Sequence, residues 1–220
     1  MDKELIHVYL MPGMAANPSI FERIKLPEDQ FVIHWLEWMI PITNETLSSY
    51  AKRMCEHIHH YNAVLLGVSF GGILVQEMSK HIKLRKLIIV SSVKNKHELP
   101  RRMKLARRTK AYKLVPSTLL GNVDLLAKYA FGETIIKRIE LYRRYLSVND
   151  SGYLNWAIEQ VVCWEQDRSL PEVVHIHGER DAVFPHRYLG DCITVKGGTH
   201  VMIINKYKWF NKNLPTIILS

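Results

Sequence analysis

At 220 residues, 47 % of them hydrophobic and 23 % charged, the chain is long enough for one domain with an insertion and too apolar for a disordered polymer. No apolar run reaches the roughly 18 residues of a membrane span, and Asp2 and Glu4 stand where an export signal would carry net positive charge. The net charge of +9 is partly local: nine Lys and Arg lie between Lys94 and Lys113, against the single acid Glu98. Nucleic acid, an anionic membrane surface or an acidic substrate could exploit that stretch; a solvated helix face is the plainer reading.

In chain order, residues 5–11 read as a buried strand running into the small-residue turn Pro12-Gly13-Met14-Ala15-Ala16. Asn17 then caps a short helix with Pro18 at its first position. Residues 30–36 form a second strand. From about residue 44 a helix carries Leu47, Tyr50, Ala51, Met54 and Ile58 on one side. It ends in His57-Ile58-His59-His60, a pattern that the helix dipole favours without any metal. A third strand spans 63–68, a helix-like run begins after Ser69, and a fourth strand spans 86–92. Unbroken apolar strands alternating with helices indicate a parallel sheet covered on both faces.

The alternation then stops. Residues 95–165 hold helical stretches at 101–113, 117–130, 133–147 and 151–164, and no convincing strand. It resumes with strands at 172–176 and 192–195 and a helix from about 201 to 211. The expected layout is three-layer α/β/α, a mostly parallel six-stranded sheet with a helical insertion after the fourth strand. Cys55, Cys163 and Cys192, odd in number and far apart, fit free thiols in a reducing compartment. No C-x-x-C or H-x-x-x-H pair offers metal spacing, so the expectation is a cytoplasmic protein without metal or cofactor.

Three motifs carry chemistry. Gly67-Val68-Ser69-Phe70-Gly71 sits between strand and helix as a nucleophile elbow, a sharp turn that lifts a serine hydroxyl out of a sheet. His177-Gly178-Glu179-Arg180-Asp181 puts acids beyond the fifth strand, and Gly197-Gly198-Thr199-His200 puts a histidine beyond the sixth. All three reach the carboxyl edge of the sheet, where open α/β sheets bind ligands. Serine, acid and histidine follow in that order.

On these motifs the sequence resembles the α/β-hydrolase superfamily over essentially its whole length. More narrowly, it is similar to small serine hydrolases with a helical cap in mid-sheet. The resemblance implies a single domain over 1–220, strand order 2-1-3-4-5-6 without the antiparallel N-terminal strands of larger members, and the cap, residues 95–165, over the site. It implies Ser69 as nucleophile, His200 as base and Asp181 as the acid orienting it, with Glu179 the competing acid. The oxyanion would be held by the backbone N–H groups of Met14 and Phe70. Larger relatives carry histidine where this chain has Pro12. Trp156 and Trp164 are candidate substrate contacts, with a core role as the alternative for each.

The leading reading is hydrolysis of a small-molecule carboxylic ester or thioester. Ser in place of Asp at the elbow disfavours epoxide hydrolase and dehalogenase chemistry; carbon–carbon bond hydrolysis and perhydrolysis use the same residues. The competing classes are a catalytically silent binding protein of this fold and nucleic-acid or membrane binding through 94–113, ranked last because that stretch lacks regular aromatic interleaving. Substrate identity and oligomeric state are not encoded legibly.

Overall fold

A computed structural model of the chain describes residues 4–114, 144–146 and 150–220. Six strands, β1 (Ile6–Met11), β2 (Phe31–Trp35), β3 (Val64–Val68), β4 (Lys86–Val90), β5 (Val173–Gly178) and β6 (Ile193–Val195), form one sheet in the order β2-β1-β3-β4-β5-β6. Every neighbouring pair is parallel. The order is the expected one; the sheet is wholly rather than mostly parallel among the described residues.

Alternation of side chains along the strands splits the core into two. Tyr9, Met11, Leu65, Leu87 and Ile89 face helices α1 (Leu47–Met54), α2 (Phe70–Met78) and α4 (Ser151–Val162). Val8, Leu10, Val64, Leu66, Ile88 and Ile176 face the turn at Pro18–Phe21 and helices α5 (Met202–Asn205) and α6 (Tyr207–Leu219). Helix α3 (Arg101–Thr109) buries only Met103. α2 is buried along all nine residues, as a helix apolar on every side must be.

Several boundaries differ from expectation for identifiable reasons. β5 runs two residues further, because His177 and Gly178 pair with Thr194 and Val195. The last helical segment breaks at Lys206 and then continues past Pro215 to Leu219, because Phe210, Leu214 and Ile218 bury one face of α6. The stretch 117–130 lies outside the described residues, as does most of 133–147. Its described part, Arg144–Leu146, is not helical: Leu146 forms an isolated bridge with Ala16, and the Asn17 N–H donates to the Tyr145 carbonyl at 2.9 Å. These residues spend their backbone polar groups on the loop after β1, which excludes a helix there.

The elbow depends on a close approach. A Cβ on Gly71 would overlap the Pro12 carbonyl oxygen and stand 2.7 Å from that of Met11, both backbone atoms with little room to yield. Gly71→Ala is therefore expected to cost about 3 kcal/mol, the upper end for overpacking. A lowered urea midpoint at unchanged slope would show it; a midpoint equal to that of the parent would refute the close approach.

Candidate active site

Ser69 occupies the single residue between β3 and α2 and adopts φ 55°, ψ −119°. That conformation is unfavourable for a residue with a Cβ, by about 1–3 kcal/mol, and persists because its surroundings fix it. The Ser69 N–H donates to the Val90 carbonyl at 2.9 Å, and the Ser69 carbonyl accepts from the Ser92 hydroxyl at 2.7 Å and the Gly72 N–H at 2.9 Å. With the backbone held on both sides, the hydroxyl is turned toward His200.

His200 Nε2 lies 2.9 Å from Ser69 Oγ, and its Nδ1 lies 2.9 Å from Asp181 Oδ2. The serine O–H can donate to Nε2 while Nδ1–H donates to the carboxylate. Asp181 is 4 % exposed and His200 9 %. The second carboxylate oxygen, Oδ1, accepts from the Val183 N–H at 2.8 Å and the Phe184 N–H at 2.9 Å, so Asp181 is oriented by its own turn. Burial opposes its charge, but the neighbouring His200, His177 and the Phe184 N–H more than offset this and hold its pKa below the usual carboxylate value. The Phe184 ring meets His200 edge-on, with centroids 5.7 Å apart. Glu179, the competing acid, is exposed and accepts instead from the Gly197 N–H at 2.8 Å, bracing the turn that leads to His200.

The loop after β1 completes the surroundings. A Cβ on Gly13 would stand 3.4 Å from that of Ser69, so Met14 follows at the serine itself. Phe70 is the first residue of α2, where the N–H has no partner within the helix and the dipole favours developing negative charge. Trp38, which no sequence motif singles out, stacks on Phe70 with centroids 4.9 Å apart and donates its indole N–H to the Gly13 carbonyl at 2.8 Å. It is one residue in an irregular stretch beyond β2; only its place at the carboxyl edge of the sheet could have drawn attention.

Trp156 reaches the same cluster, edge-on to Phe70 at 5.8 Å, with its indole N–H donated to the Glu45 carbonyl. Trp164 does not. It is 4 % exposed and donates to Glu77 at 2.8 Å, eight residues and roughly 12 Å along α2 from Ser69. Its role is in the core, the alternative entertained from the sequence.

Beneath Asp181 lies a pair the sequence did not explain. His175 Nε2 is 3.1 Å from His177 Nδ1, and His177 Nε2 donates to the Phe184 carbonyl at 2.8 Å. His177 Nε2 also stands 3.4 Å from Asp181 Oδ2. Burial, with His177 beside it, pushes the His175 pKa from 6.5 down to about 3. As pH falls below 6.5 the unfolded chain takes up a proton that folded His175 refuses until about pH 3. The stability this neutral ring contributes is thus fully present above pH 6.5 and is lost across that window, at up to roughly 1.4 kcal/mol per pH unit. His175→Gln, which keeps a polar group near Nε2, should flatten acid destabilisation measured by urea unfolding from pH 7 to 4. An unchanged slope would refute the assignment.

The basic stretch is substantially paired. Lys94 lies 3.8 Å from Glu98, Lys96 3.0 Å from Asp167 and Lys113 3.9 Å from Glu159, and Arg107 pairs with Glu165. Among the described residues, no helix is long and apolar enough to cross a membrane. All three cysteines are free thiols.

No protein-family model matches the chain, and no curated protein sequence is significantly similar to it. Solved structures do match. A hydrolase from Oleispira antarctica superposes with a TM-score of 0.73 at 12 % identity, covering 100 % of this chain and 93 % of its own. An esterase from Exiguobacterium antarcticum gives 0.70 at 18 %, covering 100 % and 94 %. The RedJ thioesterase of the prodiginine biosynthetic pathway of Streptomyces coelicolor gives 0.66 at 14 %, covering 96 % and 85 %.

Proposed function

From the α/β-hydrolase fold, which this chain shares with these structures over nearly its whole length, we propose that it is a serine hydrolase of carboxylic esters or thioesters. The observation that carries this reading is the hydrogen-bonded chain from Ser69 through His200 to Asp181. A serine hydroxyl is a weak nucleophile at neutral pH and needs a base at hydrogen-bond distance; His200 Nε2 meets that requirement.

His200 takes the Ser69 proton as Oγ bonds to the substrate carbonyl carbon. The negative charge that develops on the carbonyl oxygen is met by the N–H groups of Met14 and Phe70, and losing one such donor raises the barrier by about 3 kcal/mol. Asp181 stabilises the imidazolium and keeps Nδ1 protonated. Collapse expels the alcohol or thiol, which leaves with the proton from His200, and an acyl group remains on Ser69. Water, deprotonated by His200, then attacks the acyl carbon. The acid departs, and the proton returns to Ser69.

In the same reading residues 95–165 are a cap over the serine, with α4 bringing Trp156 to the acyl pocket beside Trp38. Esterase and thioesterase activity among proteins of this fold fits the assignment. Free thiols at all three cysteines fit the expected reducing, cytoplasmic location.

A fluorophosphonate probe followed by intact mass and peptide mapping tests the activated serine without knowledge of the substrate. The expected result is one adduct, at Ser69, absent from His200→Ala. An unlabelled protein that is also inert toward short-chain p-nitrophenyl esters and thioesters would overturn the proposal in favour of a binding role.

A further inference from the structure

Three histidines from separate segments converge on the α1 side of the sheet, well away from Ser69. His7 is the second residue of β1, His34 lies on the edge strand β2, and His60 follows the turn that ends α1. His7 Nδ1 is 2.9 Å from His34 Nε2, the His7 and His60 rings stack with centroids 3.4 Å apart, and the His34 and His60 centroids are 4.9 Å apart. One ring nitrogen from each lies within 4.8 Å of the other two. By register His7 stands level with Ala63, six residues and roughly 20 Å of extended chain before Ser69.

We propose that His7, His34 and His60 form a binding site for a divalent transition-metal ion of the Zn2+ class. Three imidazoles would supply the ligands, with a fourth position left to water. The residue types match the ion, since neutral imidazole is a ligand for Zn2+ and carboxylate-preferring Mg2+ and Ca2+ are disfavoured. The spacing is close to what is needed: metal–nitrogen bonds of 2.0–2.1 Å at a tetrahedral angle put ligand nitrogens about 3.3 Å apart. His7 and His34 would part by a few tenths of an ångström, and the stacked His60 ring would tilt to bring its lone pair to the same point.

A fourth residue orients the set. Tyr9 Oη lies 2.6 Å from His60 Nδ1 and accepts from the His59 N–H at 3.1 Å. An ion on His60 Nε2 would fix the ring hydrogen on Nδ1, where Tyr9 Oη stands to accept it, the arrangement in which the outer nitrogen of a ligand histidine is held by a hydrogen bond. The bound ion would fasten the edge strand and the loop after α1 to β1. That is a structural role, with no part in the serine chemistry. The His57-Ile58-His59-His60 cluster carried only part of this signal, because its partners His7 and His34 lie in two other segments.

The test uses the full chain without a histidine tag, stripped with chelator and titrated with ZnCl2 by calorimetry and CoCl2 by visible absorption. The expected result is one equivalent of Zn2+ per chain, a raised Tm and the intense bands of tetrahedral Co2+. His34→Gln and His60→Ala should each weaken Zn2+ binding by more than about a hundredfold, and Tyr9→Phe by about ten- to a hundredfold, as loss of an outer hydrogen bond does. His59→Ala, at an exposed neighbour, should bind as the parent does. Circular dichroism of both ligand variants checks the fold, and His60, on a loop, is the substitution least able to disturb it. Absence of saturable binding in the parent, or binding undiminished in folded His34→Gln and His60→Ala, would overturn the proposal.

Discussion

Ser69→Ala is expected to lower ester hydrolysis by between about 10^4 and 10^6 in kcat, the range seen when a nucleophile that acts with its base is removed. That is about 5–8 kcal/mol of barrier. His200 and the Met14 and Phe70 N–H groups remain, so a small residual rate over water should survive. The fold should survive as well. The substitution gives up one hydrogen bond to His200, worth about 1 kcal/mol, and leaves the φ 55° backbone to another residue with a Cβ. The measurement is single-turnover hydrolysis of a p-nitrophenyl ester, with fluorophosphonate labelling alongside. Loss of label with retained circular dichroism supports the assignment. Retained turnover in the variant would remove Ser69 from the reaction.

Asp181→Asn should reduce kcat by on the order of 10^4, the scale for a triad acid replaced by its amide, and the structure gives the reason. Oδ1 accepts from two backbone donors, the Val183 and Phe184 N–H groups, which can do nothing but donate. An asparagine must therefore keep its oxygen there and turn its NH2 toward His200 Nδ1. Facing a donor, Nδ1 gives up its proton and the ring takes the tautomer with hydrogen on Nε2, which cannot accept from Ser69. The amide cannot flip to repair this without abandoning both backbone donors. Glu179→Gln should stay near the parent rate, since Glu179 braces Gly197 and makes no bond to His200. A larger loss for Glu179→Gln than for Asp181→Asn would reverse the assignment of the acid.

The sheet was legible because its strands are short continuous apolar runs punctuated by turn residues, and runs buried on both faces leave few alternatives. Strand order followed from the family resemblance that the three motifs support. Gly67, Ser69 and Gly71 announced a turn that only small residues fit. Trp38 could not be read, because a residue in irregular backbone carries no periodicity, and its value comes from stacking on a residue 32 positions later. Trp164 was named beside Trp156 as a candidate contact, but it lies two residues past the end of α4 and donates to Glu77, at the far end of α2 from Ser69. The three-histidine cluster illustrates the same limit from the other side. Ligand spacing within one segment is visible in a sequence, whereas ligands gathered from two strands and a loop appear only once the strands are paired.

Ser69 and His200 lie 131 residues apart in the chain, and this separation has a consequence for synthesis. The strands that frame the serine, β1, β3 and β4, are all complete by Val90, whereas β5, β6 and the turn bearing His200 emerge last. At about 5–20 residues per second, the elbow waits on the order of ten seconds on the ribosome with no base beside it. A nascent chain therefore carries an ordinary, unreactive hydroxyl. In the proposed mechanism the nucleophile would switch on only when the last fifth or so of the protein, from Val173 onward, docks against the sheet, so reactivity toward the probe would report completed folding.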